Sequence, residues 1–274
     1  MEQSLFNYLT PLLFPLMPIP GSTLSARLNV QHALNTRAQP KFSGQADIEI
    51  ATYKNGECIN REAMCTNVVN GVVEKDIPWR EFSLDGYGYV EISLACDQPI
   101  FRRIDLAAGY GIISTADYGT VTVIPDAKFA RPIIIEQIRA TGTFCLVHPA
   151  CFVDAAKGIG NSILLANPYG TDILAKVSAS TGRTIKRKVG AWTAELVSLN
   201  DVLDDGCWGC VMVTGNNRLP AWDVRHRTGD PFRVNSIDHL DVFRGSSTHQ
   251  HVGARQFLRG TARRMLREWG RRIS

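Results

Sequence analysis

Residues 47–61 read DIEIATYKNGECINR, and residues 172–187 read DILAKVSASTGRTIKR. The two stretches align with a one-residue gap. Four residues are then identical, and they pair Asp47 with Asp172, Gly56 with Gly182, Ile59 with Ile185 and Arg61 with Arg187. In each stretch apolar and polar residues alternate on both sides of a glycine, which is typical of two half-buried strands joined by a tight turn. The two stretches therefore predict the same β-hairpin twice, in two related halves of one chain.

A second match follows the hairpin in each half. Residues 84–93 (LDGYGYVEIS) align with residues 204–214 (DDGCWGCVMVT), which places Gly88 on Gly209 and Val90 on Val211. Short alternating runs separated by turn residues predict an all-β fold of two related β-sandwich halves. A Gly-x-Val strand after an Asp-Gly corner resembles the immunoglobulin-like and fibronectin-like modules, and this resemblance implies an architecture without a function.

The chain divides into four predicted segments: an apolar, proline-rich arm at 1–20, a first sandwich at 21–128, a second at 129–248 and a basic amphipathic helix at 254–274. The arm has Glu2 where a signal peptide needs positive charge, and its four prolines interrupt any membrane-spanning helix. We expect this arm to pack on its own domain or on a partner.

The positive charge of the protein is concentrated at its C-terminal end. Residues 255–274 hold seven arginines and one acid, so the chain's 30 basic and 26 acidic residues leave 23 and 25 for the rest. Because the body has no basic excess, nucleic acid is not the expected partner. The predicted helix places its apolar residues on one stripe, and such a helix suits an anionic membrane or an acidic protein groove. The contact residues predicted there are Arg259, Arg263, Leu266 and Trp269. The alternative is a helix folded back on the sandwich.

Cysteine usage indicates a reducing compartment. The seven cysteines are an odd, sparse set and the chain has no N-glycosylation sequon, so we predict a cytoplasmic protein, with attachment at a membrane periphery as an option. Cys207 and Cys210 form a CxxC pair for which the strand context favours a structural role. Cys145, His148 and Cys151 follow a C-x-x-H-x-x-C spacing, and with the CxxC pair they are numerous enough for tetrahedral zinc. The alternative is a set of ordinary buried cysteines.

The segment 216–251 is rich in histidine, aspartate and arginine. A ligand-binding surface there, suited to a sugar or an anion, is predicted at Asn217, Arg218, Trp222, Asp223, Arg225 and His226. A metal site in the same segment is predicted at His239, His249, His251 and Asp241, with His226 as a further candidate ligand. The alternative is a solvated edge held by Asp–Arg pairs.

No nucleophile elbow, phosphate-binding loop or HExxH motif occurs in the chain. The leading prediction is therefore a non-catalytic binding or adaptor protein that needs no cofactor and recognises a partner protein or a carbohydrate-like ligand. One alternative is a metal-dependent enzyme or metal-binding protein using zinc or another divalent ion. Another is a structural subunit that self-associates.

Overall fold

The fold is all-β, as the sequence predicts. A computed structural model describes residues 12–19, 22–32, 41–77, 86–95, 104–115, 121–124, 128–129, 144–216 and 219–242, and its regular elements are eighteen strands. In this part of the chain no helix is long and apolar enough to cross a bilayer. The predicted helix at 254–274 lies outside the described residues.

The first half contains nine of the described strands, which form two antiparallel sheets. They are β1 (Leu12–Leu16), β2 (Ser22–His32), β3 (Gly44–Lys54), β4 (Glu57–Val68), β5 (Val72–Ile77), β6 (Gly88–Ala95), β7 (Ile104–Thr115), β8 (Val121–Ile124) and β9 (Lys128–Phe129). The strand orders are β4-β3-β6-β1-β9 and β5-β2-β7-β8.

The second half likewise contains nine described strands in two antiparallel sheets. They are β10 (Phe144–Phe152), β11 (Ile159–Ala166), β12 (Ile173–Ala179), β13 (Thr184–Val189), β14 (Ala194–Ser198), β15 (Trp208–Gly215), β16 (Ala221–Arg227), β17 (Asp230–His239) and β18 (Asp241–Val242). The strand orders are β13-β12-β15-β10-β18 and β14-β11-β16-β17.

Both sheets of the second half repeat the strand orders of the first half when nine is added to each strand number. The hairpins singled out in the sequence are β3–β4 and β12–β13, and the two turn glycines, Gly56 and Gly182, both have positive φ (88° and 84°). A side chain at either position would be strained, so glycine allows the turn that joins each pair of strands.

Part of the predicted arm is a strand of the first half. Residues 12–16 form β1, which lies between β6 and β9 and is buried along its whole length. Prolines are usually confined to sheet edges, but Pro15 lies within this paired strand. Residues 1–11 of the predicted arm lie outside the described part of the chain.

The two halves pack against each other through the sheet β14-β11-β16-β17. One face of this sheet, including Ile163 and Leu165, lines the core of the second half, while the opposite face, including Leu164 and Trp222, joins the core of the first half. Trp192 also stacks on Tyr53 of the first half at a centroid distance of 5.3 Å. The sheet is therefore buried on both faces.

Glu91 on β6 gives a pH-dependent prediction. Burial raises the pKa of its carboxyl group, Glu49 adds to the increase and Arg61 opposes it. A raised folded-state pKa stabilises the protein at low pH, and this contribution is lost as the pH rises through that pKa. Glu91→Gln should therefore raise the unfolding temperature at pH 7, by about 2 °C if the gain is about 1 kcal/mol. Thermal unfolding followed by circular dichroism at pH 4 and pH 7 tests this, with the exposed Glu57→Gln as control. An equal gain at both pH values would contradict it.

Candidate metal centre

Strand β10 carries two metal-ligating side chains into the core of the second half. His148 lies opposite Val211 of β15 and Cys151 lies opposite Gly209, with an irregularity of the pairing between them. Without that irregularity, residues three apart on a strand would point to opposite faces. Here both side chains are buried, and Cys151 belongs to the core of the second half.

Strand β16, in the facing sheet, contributes a carboxylate to the same place. Side chains along this strand alternate between the two cores: Trp222 and Val224 face the first half, and Ala221 faces the second. Asp223 therefore points into the second half, where its carboxylate is almost fully buried. The three ligating groups thus come from two different sheets.

The ligating atoms of His148, Cys151 and Asp223 all lie within 4.8 Å of one another. The Cys151 Sγ atom is 3.5 Å from His148 Nδ1 and 3.5 Å from Asp223 Oδ1. A tetrahedral zinc ion with bonds of about 2.0–2.3 Å separates its ligand atoms by about 3.3–3.8 Å. Both distances from Cys151 Sγ therefore fit a zinc ion. The His148 ring faces Cys151 with Nδ1 and Asp223 with Nε2, which lies 3.8 Å from Asp223 Oδ2.

Burial alters the acid–base properties of two of these groups. It raises the pKa of the Cys151 thiol, and the neighbouring Asp223 carboxylate raises it further. Burial also raises the pKa of Asp223, although His148 and Arg225 oppose that shift. A buried thiol with a raised pKa is a poor nucleophile, whereas a divalent ion favours the deprotonated thiolate and carboxylate.

Two further charged residues orient the cluster. Arg225 donates from Nε to Asp223 Oδ2 at 3.2 Å and from Nη2 to the Ala150 carbonyl at 2.9 Å. On β17, the Asp238 Oδ2 atom lies 3.8 Å from His148 Nε2 and the carboxylate is about half exposed. Charged groups of this kind around metal ligands hold the ligands in position.

Asn161 on β11 is a fully buried amide beside the cluster. It lies directly opposite Arg225 in the pairing of β11 with β16. Among the described residues neither its Nδ2 nor its Oδ1 atom has a hydrogen-bond partner. A buried amide left unpaired costs free energy, so a partner such as a buried water is expected at this position.

The matching position in the first half is apolar. Phe14 lies opposite Val90 of β6, as His148 lies opposite Val211 of β15, and the residues 12–16 (LLFPL) align with 146–150 (LVHPA). Phe14 packs against Gly111 of β7, where an added Cβ would come within 3.2 Å of its ring. A phenylalanine thus occupies the matching position of His148 in the first half, so the fold itself does not require a polar side chain there.

The structure separates the residues predicted as a ligand-binding surface. Trp222 is fully buried between the halves, and its packing there leaves no ring face for a ligand. His226 is bonded to Ser162 Oγ at 2.9 Å and to the Arg227 carbonyl at 3.0 Å, on the sheet face opposite to Asp223 and Arg225. Of the predicted residues that the structure describes, only Asp223 is a member of the cluster, and Arg225 is bonded to it.

Of the other metal ligands predicted in the segment 216–251, the structure describes His239 and the backbone of Asp241. His239 lies beside Asp238, with its Nδ1 atom 3.2 Å from Asp238 Oδ1. The backbone of Asp241 pairs with Val147, next to His148. The remaining predicted residues lie outside the described part of the chain: Asn217, Arg218, His249, His251, Arg259, Arg263, Leu266 and Trp269.

Cys207 and Cys210 are exposed free thiols and do not belong to the cluster, although Cys210 follows Gly209, the residue that pairs with Cys151. Cys207 immediately precedes β15 and Cys210 lies within it, so the extended chain places their Cα atoms about 10 Å apart. A disulfide needs Cα atoms within about 7 Å, which excludes a bond between this pair in the folded strand.

The sequence predicted His148 and Cys151 as ligands of one possible zinc site and Asp223 as part of a separate ligand-binding surface. It did not predict that the three residues lie together. The alignment of LLFPL with LVHPA, anchored on Pro15 and Pro149, is a sequence signal that was missed. It singles out His148 as a polar residue at a core position. Comparison of the chain with family models, curated proteins and solved structures gives no match.

Proposed function

We propose that this chain is a non-catalytic binding protein whose second half is stabilised by a zinc ion held by His148, Cys151 and Asp223. The observation that carries the proposal is the convergence of one nitrogen, one sulfur and one carboxylate donor within 4.8 Å in the core. A mixed set of this kind suits zinc, whereas magnesium and calcium prefer oxygen ligands throughout.

A stabilising role follows from where the ligands come from. His148 and Cys151 belong to the five-stranded sheet and Asp223 to the facing four-stranded sheet, so one ion would connect the two layers. All three side chains are buried, which favours an ion that stabilises the fold. Three protein ligands leave the fourth position of a tetrahedral zinc ion to a further donor such as water. In this proposal Arg225 holds the carboxylate of Asp223 and does not contact the ion.

We infer that the halves are two copies of one immunoglobulin-like sandwich, of which the second acquired the metal ligands. The identical strand orders and the matched hairpins support this inference. We also propose that the chain binds a partner protein or a carbohydrate-like ligand.

Cys151→Ser tests the metal centre. The variant should bind zinc at least about tenfold to a hundredfold more weakly, because it removes the thiolate ligand while changing the side-chain volume little. Zinc content by mass spectrometry and competition with a chromogenic chelator measure the loss. With Co²⁺ in place of zinc, the thiolate-to-metal absorption should disappear as well.

The matched control is Cys207→Ser combined with Cys210→Ser, which removes two exposed thiols and leaves Cys151 in place. This control should keep the metal and the cobalt absorption. If it loses the metal, or if Cys151→Ser retains it, the ion lies elsewhere and the proposed centre is wrong.

A further inference from the structure

The outer face of the sheet β13-β12-β15-β10 exposes large apolar side chains. Trp208 is 65% exposed, Leu174 is 61% exposed and Met212 is 38% exposed, and these are three of the five exposed large apolar residues in the described chain. The ring of Phe152 lies against Trp208 with centroids 4.8 Å apart. Trp208 and Met212 alternate with buried residues along β15, so both point outward.

The same face carries positive charge. Lys176 of β12 lies directly opposite Lys186 of β13, and both side chains are exposed. Like charges at opposed positions repel each other, so this arrangement is unfavourable until an anion lies over it. Among the described residues neither lysine forms an ion pair with an acidic side chain. The neighbouring Lys188 is bound to Asp172 at 2.6 Å.

The acidic residues at the rim do not neutralise this pair, because each has a cation of its own. Asp204 is bound to Arg183 at 2.8 Å, and Glu195 to Arg187 at 3.1 Å. The face therefore presents an apolar stripe beside two lysines without counter-ions in the described chain. Self-association through two such faces would bring lysines against lysines, which excludes a second copy of the chain as the favoured occupant.

We propose that this face binds an anionic lipid surface, with Lys176 and Lys186 over acidic headgroups and Trp208 at the headgroup level. Exposed tryptophan beside lysine is typical of a membrane interface. Each lysine near an anionic bilayer contributes about 1 kcal/mol.

Sedimentation with lipid vesicles tests the proposal on the full chain. The protein should co-sediment with phosphatidylcholine vesicles that contain about a third phosphatidylserine, and not with phosphatidylcholine alone. Lys176→Glu combined with Lys186→Glu should weaken this binding by about tenfold or more, and Trp208→Ser should weaken it several-fold. Raising the salt concentration should weaken binding of the unmodified chain.

The control is Lys41→Glu combined with Arg227→Glu, which changes the net charge equally on exposed residues outside this face. It should bind vesicles as the unmodified chain does, and circular dichroism should show all variants folded. Failure of the unmodified chain to bind, or equal binding by the Lys176 and Lys186 variant, would overturn the proposal. Binding to polyglutamate but not to vesicles would also overturn it and would indicate an acidic protein partner.

Discussion

Zinc should raise the unfolding temperature of this chain by several degrees, and the combined change His148→Phe with Asp223→Gly should abolish the effect. A ligand present at a hundred times its dissociation constant stabilises the folded state by about 2.7 kcal/mol. In a domain of 150–250 residues, each kcal/mol shifts the unfolding temperature by about 2–4 °C. Differential scanning calorimetry with zinc and with a chelator measures the response.

The two substitutions make this site apolar, as the matching site of the first half already is. Phe14 is buried in the core there at the position that matches His148, so this fold accepts phenylalanine at that place. Asp223→Gly removes the carboxylate that would otherwise lie beside the new ring. The double variant should therefore unfold without zinc at a temperature equal to or above that of the unmodified protein, because it removes buried groups whose charged forms are costly. Arg225 loses one acceptor but keeps the Ala150 carbonyl.

This design separates loss of metal from loss of fold. A variant that unfolds cooperatively and ignores zinc supports the centre, since an unfolded variant would show no transition. If the double variant still gains stability from zinc, the ion binds at other residues. If the unmodified protein shows no response to zinc, cobalt or other divalent transition ions, the cluster is a hydrogen-bonded network and the proposed function fails.

Trp222→Ala should lower the free energy of unfolding by about 3–5 kcal/mol, the usual cost of removing a large buried aromatic side chain. Trp222 is fully buried in the face that joins the two halves, so its loss leaves a cavity between them. Trp222→Phe should cost less, because it keeps most of the volume and removes an indole N–H that has no hydrogen-bond partner in the described chain. Urea unfolding followed by tryptophan fluorescence measures these differences.

Trp208→Ala is the matched control, since Trp208 is an exposed tryptophan of the same half. It should change the free energy of unfolding by less than about 1 kcal/mol. If Trp222→Ala leaves stability unchanged and instead removes binding to a sugar, the ligand-binding role predicted from sequence is right and the packing role is wrong.

The strands and hairpin turns could be predicted from the sequence, because each is specified by the order of residues within a short segment. Alternation along residues 24–30 and 173–177 identifies β2 and β12, because side chains on a strand point to opposite faces in turn. Gly56 and Gly182 mark the hairpin turns, because only glycine adopts their positive φ without strain. These signals depend on neighbouring residues alone and give the all-β class without a structure.

The arm was harder to interpret because its strand carries no alternation. All five residues of β1 are apolar or proline and all are buried, so periodicity cannot distinguish this strand from an apolar extension. The burial of Trp222 was also hard to predict, because β16 belongs to a sheet that is buried on both faces and its burial pattern is not that of a half-exposed strand. Its neighbours Asp223 and Arg225 make the strand look half-solvated, although Asp223 faces a core.

The sequence by itself determined the hairpins, the strand alternation and the identity of each potential ligand. Only the tertiary structure decided that His148 and Cys151 lie beside Asp223, which is 72 residues beyond Cys151. The physical reason is that these residues belong to two sheets whose strands do not pair with each other through backbone hydrogen bonds. Their contact is set by how the sheets pack across the core, and this packing leaves no periodic trace in either strand.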